Sequence, residues 1–280
     1  MTLLQRLGLF NLTEADVHSR IKPLTVGFGF TLPIAAIAVF LLMPGNENER
    51  MMSILRGICA QRPAHTLGFP SHVMALEARM YGIFAGFALT VAVGWLSGWS
   101  HRTKLPRGLK LVVLLTFILV MALDGVNALF WDYRQRPLYA PRNDLRLITG
   151  LLCGFALAAL IAPAVGQALW KARQNVQFFE TWTEMGKGLL VMAGVAVISL
   201  LPFTPSTLLS VVAALSVLVS FWLVNAHFAV LAWDGTAEAE GWLQLQHYAL
   251  VAFGLTVVEL VGLSALRSLL EATLHVSWLV

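Results

Sequence analysis

The sequence predicts an all-α fold, a polytopic transmembrane helix bundle of about seven spans with a surface helix between the first and second. Three observations predict it. Of 280 residues, 58% are hydrophobic and only 12% charged, about half the charge of an ordinary soluble domain. The mean hydropathy is +0.75. Seven apolar runs reach the roughly 20 residues that a bilayer core about 30 Å thick demands of a helix.

Residues 1–23 form an amphipathic N-terminal segment. "TLLQRLGLF" carries apolar residues at helical spacing with Arg6 opposite, and "TEAD" at 13–16 has the pattern of a capped second turn. Span 1, at 24–43, is too long for the apolar stretch of a signal peptide. No small-residue cleavage site follows it, so the segment is expected to stay on the chain. The next 34 or so residues have room for structure of their own. In "PGNENERMMSILRGICAQRP", Asn46 is placed to cap a helix whose first turn holds Glu47 and Glu49, where the helix dipole favours acids. Met51, Met52, Ile54, Leu55 and Ile58 then make an apolar stripe, which predicts a short helix lying on the membrane. Pro63 ends it by holding Arg62 extended.

Span 2 follows at 78–99, span 3 at 109–130 and span 4 at 146–165. These complete a four-helix unit over 24–165, and residues 166–280 supply three further helices at 186–203, 208–233 and 247–266. Spans 5 and 6 are separated only by "PFTPS", where two prolines break the helix, so a helical hairpin is the alternative to two independent spans. Lysines and arginines divide almost evenly between the two sides. The short loop "HRTKLPRGLK" nevertheless packs four positive charges into ten residues without an acid. Short loops dominate the positive-inside rule, which puts the N-terminus in the cytoplasm. The acid-bearing loop "DGTAEAEGW" opposes that orientation.

The net charge of +4 comes with no basic run suited to a phosphate backbone, so nucleic acid is excluded as a partner. Expected partners are membrane lipids, other membrane subunits or further copies of the chain. Two cysteines, Cys59 in a loop and Cys153 inside span 4, make no disulfide framework.

The polar residues gather on one side. Arg79, Gly82 and Gly86 share one face of span 2; Arg146, Thr149, Gly150, Cys153 and Gly154 share one face of span 4. Small residues four apart let helices approach closely in lipid, so Gly82, Gly86, Gly150 and Gly154 are expected at a helix–helix contact, with both arginines pointing inward. Asp124 in span 3 and Glu259 in span 7 are counted to a similar depth below that side. An ionisable group inside a membrane is a functional-site hypothesis unless it merely pairs or snorkels. Cys59, Gln61, Arg62, Glu77, Arg79, Asp124, Asn143, Arg146 and Thr149 therefore form the candidate polar network.

"CAQRP", "ARMYGIFAGF", "LDGVN" and "NDLRLITGLLCG" together resemble the bacterial and archaeal membrane proteins grouped as domain of unknown function 2085. The resemblance covers about residues 54–160, leaving out span 1 and spans 5–7, and implies the cell (inner) membrane of a prokaryote. Where that pattern has a histidine after the first cysteine, this chain has Ala60. Where it has a cysteine pair around the arginine of span 2, this chain has Glu77 and Met80, and Phe84 replaces a tyrosine. Clustered Cys and His would imply a metal or redox site. Here Cys59, His65, His72 and Glu77 make only a mixed set, and no metal is assigned. The Arg/Asp/Asn/Gly framework is kept and the thiols are not.

No nucleotide loop, metalloprotease motif or nucleophile elbow occurs, and the sequence singles out no cofactor. Three functions remain. The first is a non-catalytic membrane subunit or binding module whose Arg/Asp/Asn site near the non-cytoplasmic face packs the bundle and holds a lipid, quinone or other anionic amphiphile. The second is a membrane enzyme or redox protein using Cys59, Arg62, Arg79 and Asp124. The third is a haem- or pigment-binding electron-transfer subunit using His227 in span 6 and His247 at the start of span 7.

Overall fold

The computed structural model describes residue 31 and residues 34–36, 38–67, 74–233 and 236–274. Residues 1–23, read from the sequence as an amphipathic segment, and half of span 1 lie outside the described residues; of span 1, residues 31, 34–36 and 38–42 are helical. Among the described residues, six helices are long and apolar enough to cross a membrane.

The first short helix is α1, Glu47–Leu55, opened by a capping box in which Asn46 and Glu49 exchange side-chain and backbone hydrogen bonds. The six long helices are α2 (Ala78–Leu96), α3 (Leu109–Asp132), α4 (Asn143–Leu169), α5 (Trp182–Leu200), α6 (Ser206–Trp233) and α7 (Gln246–Leu274). The chain is a multi-pass, all-α membrane bundle. A small parallel pair interrupts the helices: β1 (Arg102–Lys104) pairs with β2 (Gln174–Gln177) in the loops at the end of the bundle opposite α1.

At the centre, α2 lies along α4 with no side chain between their backbones. A Cβ on Gly82 would stand 2.6 Å from the Leu147 carbonyl, and one on Gly150 would stand 2.5 Å from the Arg79 carbonyl. Only glycine permits this approach. Around that pair, α3 packs on α4, α5 on α2 and α4, and α6 on α2, α4 and α7. The "PFTPS" link is a turn between two long helices that both pack on α2 and α4, closed by the Thr204 hydroxyl donating to the Ile198 carbonyl at 2.6 Å. Along α3 the outer residues Val112, Leu115, Leu119, Leu123 and Val126 are exposed, an apolar face matched to lipid tails.

The apolar stripe on α1 turns toward neighbouring helices. Met51 and Leu55 are buried, and α1 packs on α6 and α7. The cause lies at the far end of α7. Ser264 donates from its hydroxyl to the Ile54 carbonyl at 2.7 Å, and Arg267 donates to the carbonyls of Arg56, Cys59 and Ala60. These bonds satisfy carbonyls that the end of α1 leaves without helical partners, and they draw the helix onto the bundle.

Candidate functional site

The ends of α2, α3 and α4 that share a side with α1 bury an unusual density of charge. The loop after α1 enters it first. Gln61 takes a positive φ of 59° and is buried, its amide donating to the carbonyls of Met52 at 2.8 Å and Ala75 at 2.9 Å. That kink aims Arg62 outward and over Glu77. The Arg62 backbone N–H and Nε both reach Glu77 Oε1 at 3.1 Å, and its Nη1 reaches Asp132 Oδ2 at 2.7 Å. His65 sits between the same two acids, Nδ1 at 3.4 Å from Glu77 and Nε2 at 3.5 Å from Asp132. Asp132 ends α3, where the helix dipole disfavours an acid; Arg62 supplies the compensation.

Burial alone would raise the Glu77 pKa, but the bonds from His65 and Arg62 outweigh it and bring the carboxyl to about 2. Cys59 is buried and pushed up to about 11 by desolvation, against the opposing bond it accepts from the Glu77 N–H at 3.3 Å. Burial there favours the protonated thiol over the thiolate, the nucleophilic form.

One turn deeper, Arg79 Nη2 donates to Asp124 Oδ2 at 2.6 Å. The other Asp124 oxygen accepts from the Tyr139 hydroxyl, brought down by the loop between α3 and α4. Burial, then the Asp124 carboxylate, push Tyr139 to about 12, so it remains a donor. Asn127, one turn along α3, holds that loop in place: its Oδ1 accepts from Leu138 N at 2.7 Å and its Nδ2 donates to Tyr139 O at 3.0 Å. Asn143 closes the ring, donating to the carbonyls of Ala64 and Thr66 while accepting from Arg146 at 2.8 Å. Arg146 is buried, within electrostatic reach of Arg79 on one side and of Asp132, Glu77 and Asp124 on the other. Thr149 bonds back to the Leu145 carbonyl in its own helix.

Most of the residues singled out from sequence thus meet in two adjoining clamps, with Thr149 and the four glycines in the helix contact beneath. Glu259 does not join them. Because α7 runs on to Leu274, Glu259 lies near mid-helix and bonds to Asn225 of α6. His227 lies on α6, its Nδ1 buried without a partner among the described residues, and His247 lies in the first turn of α7 against the Tyr248 ring. His72 lies outside the described residues. Among the described residues, no three His, Cys, Asp or Glu side chains are grouped to hold a metal ion.

Sequence reasoning missed Asp132, Tyr139, Asn127 and Arg267. Asp132 and Arg267 fall just past the apolar runs at 109–130 and 247–266. The signal for Asn127 was its position three residues after Asp124, on the same face.

Comparison with known proteins agrees with the region in which these residues lie. Residues 59–160 match the family described as "Predicted membrane protein (DUF2085)". That stretch runs from Cys59 to the middle of α4 and contains both clamps and the glycine contact. Over 114 residues the chain is 29% identical to an uncharacterized protein of Methanocaldococcus jannaschii, covering 41% of this chain and 67% of that one. No solved structure matches.

Proposed function

We propose that this protein is a non-catalytic subunit or binding module of a prokaryotic cell membrane, with an Arg/Asp/Asn site that both locks α2–α4 and receives an anionic amphiphile. The observation that carries the reading is charge matching. Arg62, Arg79 and Arg146 face Glu77, Asp124 and Asp132, and Cys59 is committed as a hydrogen-bond acceptor. Groups so engaged hold a structure together and have little freedom to move protons or attack a substrate. One donor supports a ligand: among the described residues Arg79 Nε is buried without a partner, and an oxygen of a headgroup or quinone entering beside it would accept a hydrogen bond from it.

In this reading span 1 supplies the seventh crossing, α1 lies at headgroup level, the N-terminus is cytoplasmic and the clamps face outward. The protein's partners are lipids and other membrane subunits or further copies of itself. The test is mild-detergent purification from the native membrane with mass spectrometry of what accompanies the chain. The expected result is an anionic lipid or quinone, or a partner subunit, retained by the wild type, with amphiphile retention weakened by Arg79→Met. A lone chain free of lipid overturns the reading. A haem or pigment between His227 and His247 is the second reading, supported by the unpartnered His227 Nδ1; a visible absorption band in the pure protein would establish it in place of the first.

A further inference from the structure

Away from the clamps, a second polar group sits inside the apolar part of the bundle. Glu259 on α7 accepts a hydrogen bond from Asn225 Nδ2 of α6 at 2.8 Å, and the same amide donates to Thr256 Oγ1 at 3.1 Å. Thr256 spends its own proton on the Ala252 carbonyl at 2.8 Å. Asn225 and Thr256 are buried, and Glu259 is half-buried.

The position is deep. Glu259 follows His247 by twelve residues and precedes Arg267 by eight, about 18 Å and 12 Å along the helix. Its neighbours on α7 include Val258, exposed on the outer face, and Gly262, beside which nothing stands within 4 Å. The carboxyl therefore borders the lipid-facing surface. Among the described residues it forms no ion pair. The titratable groups on elements packed against α7 are His227 on α6, Glu47, Glu49 and Arg50 on α1, and Arg56 and Cys59 in the loop after α1, where Arg56 pairs with Glu271; the turn at 242–245 has none. On α7 itself they are His247, Tyr248, Arg267 and Glu271, and the last two are paired with each other.

A carboxylate in hydrocarbon needs a cation, several donors or a proton. Among the described residues, the protein supplies it one neutral N–H. We propose that Glu259, held by Asn225, is a proton-binding site inside the membrane, and that the bound proton keeps α6 and α7 together. With the proton in place, the acid and the amide form a neutral pair that hydrocarbon tolerates. When the proton leaves, the carboxylate must find water or a cation, and α7 has to part from α6 to let either in. This assignment stands apart from the amphiphile reading, since none of its residues belongs to the clamps.

A hydrophobic carbodiimide tests it, because that reagent partitions into lipid and reacts with the acid form of a carboxyl. The O–H adds across one C=N bond, the proton going to nitrogen and the oxygen to carbon, and the adduct rearranges to an N-acylurea with nothing expelled. The intact protein in phosphatidylcholine vesicles is treated with dicyclohexylcarbodiimide over a pH series and its peptides are weighed. Glu259 is expected to gain one whole reagent molecule, and the yield to fall by about tenfold per pH unit once the acid form is the minority. The label disappears in Glu259→Gln. A Glu259 left unlabelled at every pH while the reagent modifies other carboxyls overturns the proposal. So does labelling that ignores pH.

Discussion

Replacing Gly82 by alanine probes the contact on which the whole site rests. The added Cβ would stand 2.6 Å from Leu147 O, 2.9 Å from Leu151 N and 3.0 Å from Gly150 Cα, all backbone atoms of α4. No rotamer change relieves such contacts, so α2 and α4 must separate by about 0.8 Å to reach ordinary van der Waals distance. A gap of that size forfeits roughly a quarter to a half of each dispersion contact across the crossing, which puts the strain near the upper end of the ~1–3 kcal/mol typical of overpacking. Alanine returns about 0.8–1 kcal/mol in helix propensity, leaving a net loss of about 2 kcal/mol. The assay is unfolding in a denaturing-detergent titration, followed by the fluorescence of the nine tryptophans. Gly194→Ala is the control, since nothing lies within 4 Å of that Cβ, and it should be neutral or slightly stabilising. If Gly82→Ala unfolds with the wild type, or Gly194→Ala loses as much, the backbone-contact account of α2 and α4 is wrong.

Three further outcomes follow from the clamps. Glu77 has its folded pKa depressed from 4.5 to about 2, so its contribution is present above the unfolded value and is lost as pH falls from about 4.5 toward 2. That contribution is on the order of 2 kcal/mol after solvent screening; Glu77→Gln should flatten this acid limb of the stability curve, and an unchanged limb would exclude Glu77 as its source. Cys59, buried and pushed to about 11, should resist alkylation at pH 7.5 in the folded protein and react on denaturation; rapid labelling of the folded state would contradict the structure. Asp124→Leu should destabilise by about 3–5 kcal/mol because it strands the Arg79 guanidinium, while Arg79→Met with Asp124→Leu should recover most of that loss. A double variant no better than the single one would show that the pair is not the relevant unit.

Helix existence and type were legible in the chain because a membrane span writes itself as an apolar run of fixed length. The runs at 78–99 and 109–130 correspond to α2 and α3 within about three residues. Helix ends were less legible, because an apolar count stops at the first charge, whereas the hydrogen-bonded helix continues until its carbonyls find other partners. Asp132, the far half of a clamp, and Arg267, which fastens the loop after α1 to α7, were lost in that way. The rotational setting of α7 was not legible either. Glu259 was read toward Arg79 from depth alone, and only the contact with Asn225 fixes the face on which it lies. The kink at Gln61 had no sequence signal, since a positive φ in glutamine depends on the two carbonyls that capture its amide.

Cys59 and Glu77 touch, sulfur to backbone N–H, and Arg62 and His65 close over Glu77. A carboxylate at 77 therefore occupies the junction between the loop, α2 and the end of α3, and does there what a coordinated cation would do elsewhere: it gathers several groups onto one point. The sign of the charge is reversed, so the groups it gathers are Arg62 and His65. Asp132 then completes the balance from α3. Because Arg267 fastens the same loop to α7 through the carbonyls of Arg56, Cys59 and Ala60, any ligand or partner that displaces Arg62 from Glu77 acts on a segment already tied to α7. A force applied at the clamps reaches α7 through that loop, and α7 is the helix that carries Glu259.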